Sequence, residues 1–210
     1  MIALLHPVYI PNIATFAIIA QKEVQWEVED NFQKQTYRNR AYICTDRGKL
    51  MLNIPIKHVG KNQGRQKYKD VQIENDYNWQ RQHWRTLQTA YRTSPFFEYY
   101  EDDIAPLNEE PFVSLLDYNL KSIAIICNCL QIEMPSLRTA KYFDEPSNHK
   151  DARFLVNAKT EPAIDLPEYN QVFGDRHGFL KNMSILDLLF NEGTSALTYL
   201  RTINLDLLDA

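Results

Sequence analysis

The run Gln33-Lys34-Gln35-Thr36-Tyr37-Arg38-Asn39-Arg40 packs two guanidinium groups, several amides and a phenol into one short segment. A guanidinium presents a rigid fork of donors that matches a carboxylate or phosphate, and neighbouring amides and phenols can orient what it holds. Arg38, Asn39 and Arg40, with Gln35 and Tyr37 beside them, are therefore candidates for gripping an anion. The same chemistry has a structural use: either arginine can pair with an acidic residue such as Glu27 or Glu29 just upstream.

Three further segments carry recognition or titratable groups. His6-Pro7-Val8-Tyr9-Ile10-Pro11-Asn12 stands where a first strand passes into a first helix, a place where backbone N–H groups often face anions. It lacks glycines, and paired prolines more often fix the geometry of such a connection; Tyr9 is the ligand candidate taken from it. His83 falls one turn after Trp79 beside Trp84 and Arg85, where it can act as a general acid or base or simply pack on tryptophan. No serine or cysteine nucleophile has a matching third partner by spacing. In Tyr169 to Phe179, Gly174 and Gly178 bracket Asp175, Arg176 and His177. That loop offers Gln171 as a ligand contact and His177 as an acid or base, or it is a turn held by its own hydrogen bonds.

The elements that must position these groups follow from periodicity. Ile2 to Leu5 reads as a strand, Asn12 to Gln21 as a helix with Pro11 at its start, and Glu23 to Glu29 as a strand with one wet face. Arg40 to Thr45 and Lys49 to Ile56 form a hairpin pattern around Asp46-Arg47-Gly48. Residues 57–69 read as a mobile surface loop, and Val71 with Ile73 as another short strand. Helices are expected over Trp79 to Tyr91, from Phe96 to before Pro106, and from after Pro111 to about Leu130. Ser184 and Asp187 make a capping-box pattern ahead of an apolar run that Gly193 stops, and Thr194 suits the cap of a last helix. The expectation is one α/β (or mixed α+β) domain over residues 1–210, with the strands near Ile2, Val24, Arg40, Leu50 and Val71 in a central sheet under helices drawn mainly from the C-terminal half. Residues 141–165 show no period and read as a connector.

Composition bounds the function. The formal charge of −4 provides no global basic field, so nucleic acid is not an expected partner and any anion site must be local. No stretch approaches the roughly 20 apolar residues of a membrane span. The cysteines Cys44, Cys127 and Cys129 are odd in number, which argues against a disulfide framework and for a reducing cytoplasm. Cys127 and Cys129 stand two apart on a helix and point in different directions, so no metal set is read. No cofactor motif and no determinant of oligomeric state can be read.

Three blocks together resemble the WbqC-like family of bacterial proteins, especially its shorter Bacteroides-type members. They are Pro7-Val8-Tyr9-Ile10-Pro11 with Phe16; Gln35 to Arg40 with Leu52-Asn53-Ile54-Pro55-Ile56; and Ser184 to Gly193. The Trp79, His83, Trp84, Tyr91 and Phe96-Phe97 pattern also matches. The resemblance implies a role near surface-polysaccharide or O-antigen assembly, with a sugar nucleotide or other anionic small molecule as partner, and leaves the reaction open. Longer members carry a Tyr-x-Ser-Gly segment that residues 141–165 lack, and a Gln-Pro pair where this chain has His6-Pro7.

The leading reading is an enzyme or binding protein for an anionic or glycosylated small molecule. Its rivals are a non-catalytic interaction module and, by analogy with the opening strand-turn-helix, a nucleotidyl-transfer enzyme. The sharpest expectation is geometric: Tyr9, Arg38, Asn39, Arg40 and His177 should share one concave surface.

Overall fold

The computed structural model describes residues 1–57, 65–109 and 111–208. The apolar run Ile2–Leu5 forms β1, and Asn12 opens helix α1 (Ile13–Gln21), its side chain accepting from Thr15 N at 3.0 Å. The cap is thus Asn12, with Pro11 just outside the helix. Residues 13–19 of α1 are all buried, and removing Phe16 alone from water contributes on the order of 1.5–3 kcal/mol. The chain returns as β2 (Val24–Trp26), parallel to β1 with Ala3 opposite Val24 and Leu5 opposite Trp26.

The four-stranded sheet is entirely parallel and is completed from an unexpected quarter. Its order is β5-β2-β1-β6, where β5 is Leu137–Arg138 and β6 is His149–Asp151. The expected sheet drew instead on Arg40, Leu50 and Val71. β3 (Arg40–Thr45) and β4 (Gly48–Asn53) do form the predicted hairpin, closed by Asp46-Arg47 with Gly48 at φ 94°, but as a separate antiparallel pair. Val71 follows a 3-10 turn, Tyr68–Asp70, and the chain there makes only single bridges, Ile73 to Ile56 and Gln72 to Ser114. Of the expected mobile loop, residues 58–64 lie outside the described residues. Its end is pinned, because the fully buried Tyr68 donates its hydroxyl to Pro7 O at 2.7 Å.

The helices α2 (Trp79–Tyr91), α3 (Phe97–Ile104), α4 (Pro106–Glu109) and α5 (Leu115–Cys129) follow. After β6 come a 3-10 turn at Arg153–Val156, the short turn α6 (Gly174–His177), α7 (Ile185–Glu192) and α8 (Ala196–Thr202). Phe190 of α7 meets Tyr91 and Phe97 at ring-centroid distances of 5.2 and 5.0 Å, tying α2 and α3 to α7, while α1 packs on α7 and α8. A 3-10 turn at Gly193–Ser195 precedes α8, so Ser195 rather than Thr194 stands at its cap, with no side-chain bond there. One apolar cluster runs from Ala3 through α1, the hairpin and α2 to Leu205.

Candidate functional site

Because all four sheet strands run one way, the residues that follow them gather on a single edge: His6 after β1, Glu27 after β2, Thr139 after β5 and Arg153 just after β6. The carboxyl edge of a parallel sheet is where ligands of open α/β folds bind, at the point where connections leave in opposite directions. Here β1 is that point, with β2 on one side and β6 on the other. The edge is roofed by main chain: Tyr9 N donates to Tyr37 O at 3.0 Å, and Tyr37 N to Val156 O at 2.9 Å.

Beneath that roof lies a buried charged network. Arg38 has no exposed surface and donates from Nη2 to Asp30 Oδ2 at 2.6 Å, with His6 Nε2 3.0 Å from the same nitrogen. Its guanidinium carbon stands 5.3 Å from the Tyr68 ring centroid, and its carbonyl accepts from Asn119 Nδ2 at 2.6 Å. Burial, and then the Arg38 charge, hold the His6 pKa well below its usual value, so His6 is neutral at pH 7. Glu27 sits next to this group; it accepts from Glu29 N and Thr139 Oγ1, with Arg153 Nη1 at 3.9 Å, and burial pushes its carboxyl up. The structural use of Arg38 is thus realised, with Asp30 as partner; Glu29 pairs with Lys69 instead, at 2.8 Å.

The two residues after Arg38 turn the other way, into a cleft of about 510 Å³. Its walls bring together Lys34, Gln35, Asn39 and Arg40 with Asn53 and Glu74, over an apolar side formed by Phe32 and Ile54 to Ile56. Asn39 is fixed, donating to Asn53 Oδ1 at 3.2 Å and Ile54 O at 3.0 Å. Arg40 Nε is enclosed with no acceptor among the described residues. Gln35 is exposed and holds φ at +62°, a left-handed conformation that only a tight reversal of this loop requires.

Tyr9 and His83 lie behind this cleft. Both are buried, and Tyr9 Oη and His83 Nδ1 share a hydrogen bond of 2.8 Å. Burial lowers the His83 pKa to about 4, so the ring is neutral at pH 7. Trp79 meets it edge-on at 5.2 Å, the packed arrangement weighed against a catalytic one. Tyr37 is also buried, edge-on to Tyr42 at 6.0 Å, and burial raises its pKa.

The expected surface shared with His177 does not form. His177 Nε2 reaches Thr45 O at 2.9 Å, at the tip of the hairpin, five residues along β3 from Arg40, or about 17 Å at the rise of a strand. A hairpin rigidly separates its two ends, so segments docked on each cannot meet. Cys44 Sγ stands 3.9 Å from His177 Nε2, but burial, with the Asp187 charge, pushes the thiol up to about 12, and no thiolate is available.

Gln171 is committed elsewhere, donating to Asp187 Oδ2 at 2.7 Å and Leu180 O at 3.0 Å. Asp187 likewise departs from the capping box. Ser184 Oγ caps α7 through Leu186 N, but the Asp187 carboxylate accepts from Tyr91, Tyr169 and Gln171, and Ser184 N donates to Tyr42 O.

Sequence reasoning named Glu27, which stands beside the Arg38 network, but passed over Asp30, Arg153, Asn53 and Glu74 as members of the site. The one available signal was Asp30, an acid eight residues before Arg38 across a turn. Arg153 was hidden in a stretch without period.

These features define an α/β protein with a polar cleft beside the carboxyl edge of a parallel sheet, its loop held by a buried arginine. The chain belongs to the WbqC-like protein family, whose model matches residues 6–164, from the histidine that follows β1 past the arginine that follows β6. Gln171, His177 and Asp187 lie beyond that match. The chain is also similar to "Uncharacterized protein Rv1507c" of Mycobacterium tuberculosis, 28% identical over an alignment 234 positions long that covers 95% of this chain and 97% of that protein. No solved structure matches it.

Proposed function

We propose that the chain, acting as one WbqC-like unit in the cytoplasm, binds an anionic small molecule of bacterial surface-polysaccharide metabolism in the cleft beside β3. The observation that carries this reading is Arg40: its Nε is enclosed without a protein acceptor among the described residues, in a cleft that also holds Lys34, Gln35 and Asn39 and only one carboxylate, Glu74. A guanidinium at a cleft wall whose Nε is not committed to the protein can turn its fork of donors to a carboxylate or phosphate, and a cleft of this volume suits a ligand the size of a sugar phosphate or sugar nucleotide. Asn39 and Asn53 would orient it, and Phe32 with Ile54 would exclude water from one side. The polysaccharide setting rests on the family resemblance.

Because His83 and His6 are buried and already bonded, neither is placed to move a proton in the cleft, and the donors that face it are suited to recognition. A thermal-shift screen of sugar phosphates, sugar nucleotides and acyl-coenzyme A, followed by calorimetry, tests the reading. Arg40→Ala should weaken the best hit about 10- to 150-fold, the equivalent of one charged hydrogen bond of roughly 1.5–3 kcal/mol, with the melting temperature unchanged. Wild-type affinity in Arg40→Ala would remove the cleft from the account.

A further inference from the structure

A second cavity, of about 460 Å³, opens at the other end of the hairpin, between its tip and α2. Arg47 and Lys49 from the tip and Arg85 from α2 line it against one carboxylate, Asp46, in a chain whose overall charge is −4. Lys49 is partly engaged, with Glu161 at 3.8 Å and the Tyr42 ring at 4.4 Å. The Arg47 and Arg85 guanidinium groups have no ion pair among the described residues. The apolar part consists of Leu50, which is 40% exposed, and Phe173, the residue before the α6 turn that carries His177. The Arg176 guanidinium carbon lies 5.6 Å from the Phe173 ring centroid.

We propose that this cavity is a second ligand site, taking a molecule with a phosphate group and a flat ring, the chemistry of a nucleoside diphosphate. Three cations line one cavity, two of them guanidinium forks that match phosphate oxygens, and an aromatic ring in the same lining offers a surface for a planar base. Threonine hydroxyls do not compete for the anion, since Thr86 and Thr89 donate back into their own helix at 2.8 Å each. The Gly174-to-Gly178 loop, apart from the Arg40 cleft, thereby acquires a role as the wall of this site. The proposal does not rest on the cleft reading, and either can fail alone.

The test is calorimetric titration of the full chain with ADP, UDP, pyrophosphate and uridine, with hydrogen exchange to locate the bound molecule. ADP or UDP should bind saturably, protecting residues 45–50 and 85–90, and pyrophosphate should bind about tenfold more weakly. Arg85→Ala, an exposed helix position where alanine is well tolerated, should weaken both phosphates at least tenfold, and Arg47→Ala should do the same. Phe173→Ala should weaken the nucleotides and spare pyrophosphate, and Arg85→Ala should remove the protection of residues 45–50 and 85–90 without altering any at residues 34–40. No binding of ADP or UDP at millimolar concentration overturns the proposal. So does protection confined to residues 34–40, or loss in Arg40→Ala with Arg85→Ala unaffected.

Discussion

Arg38 Nη2 and Asp30 Oδ2 stand 2.6 Å apart with the guanidinium wholly removed from solvent, while Arg40, two residues later, reaches a cleft wall. The pair fixes the loop between β2 and β3 against the sheet edge, so the direction in which Asn39 and Arg40 face is set by a contact that no ligand touches. Removing one member of a buried pair leaves the other charge uncompensated. Arg38→Met is therefore expected to lose about 3–5 kcal/mol in urea denaturation. Wild-type stability in that variant would show that the loop is held by other means.

His83 should make the fold acid-sensitive. Its folded-state pKa of about 4 lies below the ordinary 6.5, so the unfolded chain takes up the proton first as pH falls. Its stabilising contribution is complete above pH 6.5 and is lost progressively down to about pH 4, a change of about 3 kcal/mol. His6 is shifted in the same direction, by burial first and Arg38 second. Denaturation midpoints measured from pH 7 to 4 should fall, and His83→Gln should flatten the slope. An unchanged slope would assign the acid sensitivity elsewhere.

What the sequence disclosed and what it hid divide along a physical line. α1, the β3–β4 hairpin, α2, α5 and α7 were legible because each carries its own local signals, a helical or alternating run bounded by a cap, a turn glycine or a proline. β5 and β6 were not: with two and three residues, and with His149-Lys150-Asp151 partly exposed at a sheet margin, they are defined by main-chain pairing to strands over a hundred residues away. The same limit applies to the site. Arg38 and Arg40 are identical side chains two positions apart, and only Asp30 and Tyr68, brought in by tertiary packing, decide which is interior. The gathering of Gln35, Asn39 and Arg40 needed only one loop and was readable; the separation of His177 depended on the length of a hairpin.

Asp187 is expected to be a stability residue of the C-terminal region. Its carboxylate is the acceptor for the buried Tyr91 and Tyr169 hydroxyls and the Gln171 amide. Asp187→Asn turns an amide nitrogen toward one of these donors and should lower stability by about 1–3 kcal/mol. Ligand affinity in the Arg40 cleft should be unaffected. Normal unfolding with lost binding would reverse this assignment.

Gly193 ends α7 at φ 55°, and a Cβ there would lie 2.5 Å from Phe96 Cδ1. Gly193→Ala must displace the Phe96 ring from its packing as well as strain the backbone, at roughly 1–3 kcal/mol. A melting temperature within a degree of wild type would mean that the ring has room to move.

The main-chain relay from Tyr9 through Tyr37 to Val156 also has a consequence in time. His6, Glu27, Asp30 and Arg38 all leave the ribosome within the first 40 residues, yet β6 and the turn that roofs them are synthesised more than 100 residues later. At 5–20 residues per second that interval is on the order of 6 to 25 s. Through it the nascent chain carries β1 with one flank unpaired, a waiting template that the polar segment His149-Lys150-Asp151 finally occupies. Chains stalled before that point should be the ones that chaperones hold, and a ribosome-tethered series cut on either side of residue 151 would reveal when the edge closes.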